Sequence, residues 1–358
     1  MGSIATAHSN ADILAVDDSP TLLLVLKLKL ESVYSNIHTV NSGAGAIDYC
    51  EKKIPDLVLL DKEMPNMDGF ETLAKLKEIF GMKEVPIIFF TASDDPNVQV
   101  EALKRGAVDF VNKDADKQIL LHRIAIHIEL SERRKELELQ RKNLEHELSI
   151  IEDSMVTSFA DLVEARDENT GGHVKRTAEY VRLLGEELIR LDAFSKDSLN
   201  DEILKLIVRA SPLHDTGKIK VSDAVLLKDG KLNDAEFIEM KNHAPVGGAF
   251  LRELYERTPS RKYLQFASII AASHHEKFDG SGYPSRLSGK DIPLCGRIMA
   301  LADVYDALVS DRIYRKAMSH DMATKIIEDG NGKHFDPKVV EAFLNIKDKF
   351  REFAEKNK

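Results

Sequence analysis

The chain has 358 residues, 43% of them hydrophobic and none of them Trp, with 60 acidic residues against 50 basic ones and a formal net charge of −10. That length holds two or three domains at roughly 100–200 residues each, and the acidic balance excludes a broad basic face for DNA. No apolar run approaches the roughly 18 residues of a membrane span, and two distant cysteines, Cys50 and Cys295, fit a reducing cytoplasm and exclude a disulfide framework.

Residues 1–10, MGSIATAHSN, read as a disordered lead-in. They formally match the N-myristoylation pattern, a short pattern that arises often by chance. They lack the basic and apolar regions of a signal peptide. Five short Val/Ile/Leu/Phe-rich runs follow: Ile13–Val16, Ile37–Val40, Leu57–Leu60, Ile87–Phe90 and Val108–Val111. Stretches of helical length separate them, which predicts a doubly wound α/β domain with a five-stranded parallel sheet over 11–130. The site of such a sheet lies at the carboxyl ends of its strands. Asp17 and Asp18 follow the first run, Asp61 the third, Thr91 the fourth and Lys113 the fifth. Three carboxylates at one edge repel one another unless a hard cation such as Mg²⁺ joins them. Asp61 is then a candidate phosphoryl acceptor, with Thr91 and Lys113 on the phosphoryl oxygens. Taken singly, an acid at a strand end is as readily a helix cap.

The segments "VDDSP", "DKEMPNMDGFE", "TAS" and "VNK" resemble the receiver domain of two-component response regulators. The resemblance implies Mg²⁺ at Asp17, Asp18 and Asp61, phosphorylation of Asp61 by a sensor histidine kinase, and Phe110 as the aromatic switch. Asp114 stands where the family usually has proline.

Residues 119–165 contain neither proline nor glycine and favour helix. Leu130, Leu137, Leu144 and Ile151 recur every seven residues. The companion seam of His127, Arg134, Arg141, Leu148, Met155 and Leu162 becomes apolar only from 148. This predicts a helical linker over 131–153, either a weak parallel coiled coil that pairs two chains or a single solvated helix.

From 154 to 358 the pattern is helical, with runs predicted over 154–167, 173–191, 200–213, 236–255, 262–273, 296–310 and 319–329 and another from about 337. Asp229-Gly230 reads as a hairpin turn between them. His214 and Asp215 are adjacent at the end of one run. His173, His243, His274, His275 and Asp303 each fall at a predicted helix end or on an inner face. One histidine on a helix is usually an ordinary polar residue. Five positions around one His-Asp pair point to a metal site, since imidazole suits Fe, Mn, Zn or Ni and a carboxylate bridges two cations.

The segments "ARDENTGGHVKRT", "LHDTGK", "MKNHAPVGG", "HHEKFDGSGYP" and "LADVYDALVSDRIYR" resemble an HD-GYP phosphodiesterase over about 155–350. The resemblance implies an all-α metallohydrolase domain that cleaves cyclic dinucleotides with a metal-activated hydroxide. It implies His173, His214, Asp215 and Asp303 on one metal, and His243, His274 and His275 on a second that Asp215 bridges, with iron or manganese as the metals. The substrate is cyclic di-GMP or cyclic GMP-AMP; a silent site in a binding adaptor is the other reading. Lys218, one turn after Asp215, reaches a phosphate and protonates the leaving oxygen, while Arg312 and Arg315 match the family's phosphate-binding cations. Asn169 replaces a glutamate that helps some members hold a third metal, so two metals are expected; neighbouring Glu168 should point elsewhere. "RIY" stands for the more usual "RPY". Gly280 and Gly282 permit positive φ and Pro284 stops any helix, which makes "DGSGYP" a stiff lip beside the metals. Tyr283 on that lip either stacks on a nucleobase, meets a partner or only packs the loop; the resemblance implicates the lip in contacts with GGDEF cyclases. The whole reads as a cytoplasmic response regulator without a membrane span.

Overall fold

The computed structural model describes residues 9–92, 96–167, 172–311 and 316–357. It divides into two units, 1–146 and 147–358.

In the first unit the elements alternate: β1 (Asp12–Val16), α1 (Pro20–Leu30), β2 (Asn36–Val40), α2 (Gly43–Lys52), β3 (Leu57–Leu60), α3 (Gly69–Glu78), β4 (Ile87–Thr91), α4 (Pro96–Lys104), β5 (Asp109–Asn112) and the start of α5 (Lys117–Glu164). The strands pair in parallel in the order β2-β1-β3-β4-β5. The five predicted runs differ from the strands by a residue at most ends. β3 and β4 are buried at every position, as strands covered on both faces must be. One face packs Ile13, Leu57, Leu59 and Ile88 against Leu26, Leu30, Leu120 and Ile124, and the other packs Leu14, Val58, Leu60 and Ile87 against Ala46, Leu73 and Leu76. Asp68 caps α3 reciprocally with Glu71, which starts that helix just beyond the loop that follows Asp61.

α5 is one helix of 48 residues. Its seam residues Leu130, Leu137 and Leu144 are exposed, at 57%, 65% and 65%. The predicted helix over 154–167 is the end of this element, followed by a short 3₁₀ turn at Ala165–Asp167.

The second unit is helical: α6 (His173–Arg190), α7 (Asp201–Ala210), α8 (Asp223–Leu226), α9 (Asp234–Lys241), α10 (His243–Arg257), α11 (Tyr263–Ser273), α12 (Leu294–Val309), α13 (His320–Asp329) and α14 (Pro337–Lys356). α6 is its spine, packed against α7, α12 and α14. Tyr180 stacks on Phe350 at 4.6 Å between ring centres and meets Tyr305 edge-on at 5.1 Å. Two expectations are corrected. The single helix predicted over 236–255 is two, α9 and α10, broken at Asn242, so that His243 opens α10. The Asp229-Gly230 turn exists, with Gly230 at φ +107°, but it joins α8 to α9 and has no strands on either side. Alternating apolar residues there pack into a satellite cluster of Val221, Val225 and Leu226 with Leu232 and Met240.

Tyr180 is fully buried and its hydroxyl has no hydrogen-bond partner among the described residues. Tyr180→Ala is expected to destabilise the helical unit by about 3–5 kcal/mol. Tyr180→Phe removes an unsatisfied polar group and is expected to leave stability equal or raised by about 1 kcal/mol. Calorimetric unfolding of the two variants checks this, and a marked loss in the Phe variant contradicts it.

Candidate metal centre

At the carboxyl edge of the parallel sheet, Asp17, Asp18 and Asp61 offer oxygens within 4.8 Å of one another. Asp17 and Asp61 are buried and Asp18 is exposed. Lys113 places Nζ 2.6 Å from Asp17 Oδ2 and 2.9 Å from Asp61 Oδ2. Its backbone N–H donates to Thr91 O at 3.0 Å, so the pairing of β4 with β5 delivers both residues to the site. Burial raises Asp61 above the ordinary carboxylate range, outweighing the ammonium beside it. Burial works to lower Lys113, but the two carboxylates hold it above its usual value. Phe110 is half-buried against the core on this side.

In the helical unit the second site is built from helix ends. His173 is the first residue of α6 and His243 the first of α10; His274 and His275 follow the last residue of α11, and His214 and Asp215 follow a 3₁₀ turn that continues α7. Asp303 comes from the body of α12. Close approach brings these ends together: a Cβ on Gly217 would overlap the carbonyl oxygen of His243, so only glycine lets the "HDTGK" loop lie against the start of α10.

The side-chain atoms converge. His173 Nε2 is 3.5 Å from His214 Nε2 and 3.6 Å from Asp303 Oδ1. His243 Nε2 is 3.5 Å from His274 Nε2, and His275 joins the same group. Asp215 lies between the two sets, with Oδ2 3.4 Å from His214 Nε2 and Oδ1 3.3 Å from His243 Nε2. Lys218 Nζ lies 2.8 Å from Asp215 Oδ2. The structure thus gathers all seven predicted ligand residues: six of them, with Lys218 and Tyr283, line one cavity of about 550 Å³, and His274 stands behind with Asp215, His243 and His275. Arg312, Arg315, Glu168 and Asn169 lie outside the described residues.

The donors suit a metal. His214 and His243 each direct Nδ1 at a backbone carbonyl, of Ser211 at 2.9 Å and Met240 at 2.6 Å, and His274 directs Nδ1 at Ile270 and Ala271, both at 3.1 Å. A carbonyl accepts only, so Nδ1 carries the proton and the lone pair on Nε2 faces the centre. The buried Asp215 Oδ1 has no hydrogen-bond partner among the described residues. Burial drives the His243 imidazole down to about 4 and His275 well below its usual value, which favours the neutral form that ligates. For His214 burial also opposes charge, but the facing Asp215 carboxylate wins and raises it to about 9. Burial opposes ionisation of Asp215, and Lys218 and His214 nevertheless hold it well below the usual range.

Several supporting residues escaped the sequence reading. Asp306, one turn beyond Asp303, accepts from His173 Nδ1 at 2.7 Å and from Arg176 Nε at 2.7 Å. Arg166 donates to the carbonyls of Ile219 and Val221 and to Asp223, strapping the end of α5 to the loop after His214-Asp215. Glu164, the last residue of α5, lines the cavity with Oε1 buried and without a hydrogen-bond partner among the described residues; burial raises its carboxyl against the pull of His173, His214 and Lys218. Glu276, buried, accepts from the backbone N–H groups of Ser285 (2.7 Å) and Leu287 (3.1 Å) and so holds the lip. In that lip Gly280 has φ +82°, as expected, but Gly282 is not left-handed. Its Cβ would strike the backbone of Glu276 and Lys277, so the requirement there is close approach. The i, i+3 spacing of Asp303 and Asp306 was the one available signal, since it puts both on one helix face.

A five-stranded receiver fold followed by a helical unit with a histidine–aspartate metal cradle defines the class. The description "Response regulator receiver domain" matches residues 13–125, and "HD domain" matches residues 157–339, a divalent-metal-binding unit. A probable cyclic di-GMP phosphodiesterase of Vibrio cholerae is 38% identical over 97% of this chain and 80% of its own. The cyclic di-GMP phosphodiesterase response regulator RpfG of Xanthomonas campestris is 34% identical over 94% of this chain and 88% of its own. A 3'3'-cGAMP-specific phosphodiesterase of Vibrio cholerae is 39% identical over 60% of this chain and 38% of its own. The chain belongs to the response regulators that join a receiver domain to an HD-GYP domain. No helix among the described residues is long and apolar enough to cross a membrane.

Asp306→Asn keeps the shape but weakens the hold on His173. It is expected to lower metal affinity about 10–100-fold, measured by competition with a chromogenic chelator. Unchanged affinity assigns Asp306 to Arg176 alone.

Proposed function

We propose that the chain is a phosphorylation-regulated phosphodiesterase for cyclic dinucleotides, with cyclic di-GMP as its main substrate, cleaved to the linear dinucleotide or onward to GMP. The observation that carries this reading is Asp215, whose two oxygens face separate imidazole sets at 3.3 and 3.4 Å. In this reading His173, His214, Asp215 and Asp303 hold one divalent cation, and Asp215, His243, His274 and His275 hold the other, with iron or manganese suited to the nitrogen and oxygen donors. When bound, such a pair polarises a phosphodiester and lowers the pKa of an attacking water. Lys218 binds the phosphate and hands a proton to the leaving oxygen. Arg312 and Arg315 supply further positive charge for the phosphates. Relatives active on either cyclic di-GMP or 3'3'-cGAMP keep both substrates in view.

Asp61 takes the phosphoryl group from a sensor histidine kinase, with Mg²⁺ at Asp17, Asp18 and Asp61. The exposed leucine seam of α5 supports pairing with a second copy in parallel, which gives the phosphorylated receiver a dimer to act on. The tail of the same helix is clamped to the helical unit: Arg209 Nη2 lies 3.0 Å from Glu152 and its Nε 2.5 Å from Asp153, while Arg261 reaches Glu152 at 2.6 Å. A shift of that segment bears directly on the cavity wall at Ala160, Val163 and Glu164. The lip around Tyr283 offers the contact surface for a GGDEF cyclase.

Protein purified without oxygen is expected to hold two transition-metal ions per chain and to hydrolyse cyclic di-GMP, with cyclic GMP-AMP assayed in parallel. His214→Ala is expected to lose at least a hundredfold in turnover. Three metals per chain contradict the two-metal centre, and unaltered turnover in the variant contradicts the assignment of the site. Disulfide crosslinking of Leu137→Cys should give a dimer whose yield changes when a phosphoryl mimic is added. Identical yields with and without it refute control through α5.

A further inference from the structure

The cations around the metal cradle are already engaged: Lys218 pairs with Asp215 at 2.8 Å and Arg176 with Asp306 at 2.7 Å. Beside Tyr283, which lines the cavity, two residues of α9 bring a different chemistry. The ring of Tyr283 lies on His275, 4.7 Å between centres and tilted by 31°. Phe237 approaches Tyr283 edge-on at 6.5 Å. The ammonium of Lys241 sits 4.2 Å above the Phe237 ring and 5.6 Å from the Tyr283 ring. Lys241 has no carboxylate within ion-pair distance among the described residues.

The fold does not need this cluster for stability. α9, which carries Phe237 and Lys241, has no buried residue. Phe237 is 45% exposed and belongs neither to the main core nor to the satellite cluster beneath α8 and α9. An exposed aromatic face that holds an unpaired ammonium beside a second aromatic suits a planar, electron-rich ring with hydrogen-bond acceptors. Guanine presents two adjacent acceptors, O6 and N7, whereas adenine replaces O6 with an amino donor that an ammonium repels.

We propose that Phe237, Lys241 and Tyr283 form a guanine-binding subsite, which holds one base of the cyclic dinucleotide while its phosphodiester lies at the metal centre. The base stacks on one ring of this edge-on pair and meets the edge of the other, and Lys241 donates to its O6 and N7. This inference rests on the phosphodiesterase reading and adds to it the residue that selects guanine over adenine.

Steady-state kinetics on metal-loaded full-length protein test it. Phe237→Ala and Lys241→Met are each expected to raise KM for cyclic di-GMP on the order of tenfold, the loss of about one base contact, with kcat, metal content and thermal midpoint little changed. Phe237→Trp is expected to keep the wild-type KM. Cyclic di-AMP as a competing inhibitor should be weakened by Phe237→Ala and not by Lys241→Met. An unchanged KM in both alanine and methionine variants overturns the subsite. Equal weakening of cyclic di-GMP and cyclic di-AMP by Lys241→Met overturns guanine selection. Wild-type protein that neither binds nor cleaves any cyclic dinucleotide overturns the phosphodiesterase reading, and the subsite falls with it.

Discussion

The helical unit depends on the orientation of a few imidazole rings. A neutral imidazole has one proton and one lone pair, and whichever nitrogen donates decides which way the lone pair faces. His214 and His274 give Nδ1 to carbonyls of the turn they follow, and His243, which opens α10, gives it to Met240 at the end of α9. These carbonyls lie at or near helix ends, and even where a backbone N–H already donates to them they keep a second lone pair for the imidazole. The fold therefore uses helix ends to set a tautomer. It also fits a site assembled largely from termini, where carbonyls are accessible to a side chain that leaves the helix. His173 is the exception: a side chain, Asp306, takes the role of the carbonyl.

What was legible in the sequence follows the same division. β1, β3 and β4 showed because each is a short, largely apolar run that ends at or just before a polar residue of the site, Asp17, Asp61 or Thr91. All the ligand residues but Asp303 showed because they stand at helix ends, marked by the glycine of "HDTGK" and the proline of "GYP". Asp306, Glu164 and Glu276 did not show, because a carboxylate acquires its meaning from partners far along the chain: Asp306 from His173, Glu164 from the surroundings of His214, Glu276 from the backbone of the lip. The break at Asn242 was hidden for a related reason. Residues 236–255 satisfy helical periodicity throughout, and what turns the chain is the docking of His243 and Gly247 against Gly217.

The two sites share a design despite unrelated folds. Each crowds carboxylates where strands or helices end and sets one lysine against them, Lys113 across Asp17 and Asp61, Lys218 across Asp215. In neither does the lysine neutralise the whole cluster. Like charges held this close favour bound cations over empty space, since desolvated carboxylates without partners cost several kcal/mol each.

That imbalance also accounts for how an acidic protein accepts an anionic dinucleotide. The cavity holds Asp215, Asp303, Asp306 and the buried Glu164 against Lys218 and Arg176. These carboxylates make the wall a poor host for a phosphodiester on its own, and the divalent cations they would hold would offset that charge. Substrate affinity and metal binding would then be linked, because the same carboxylates serve both.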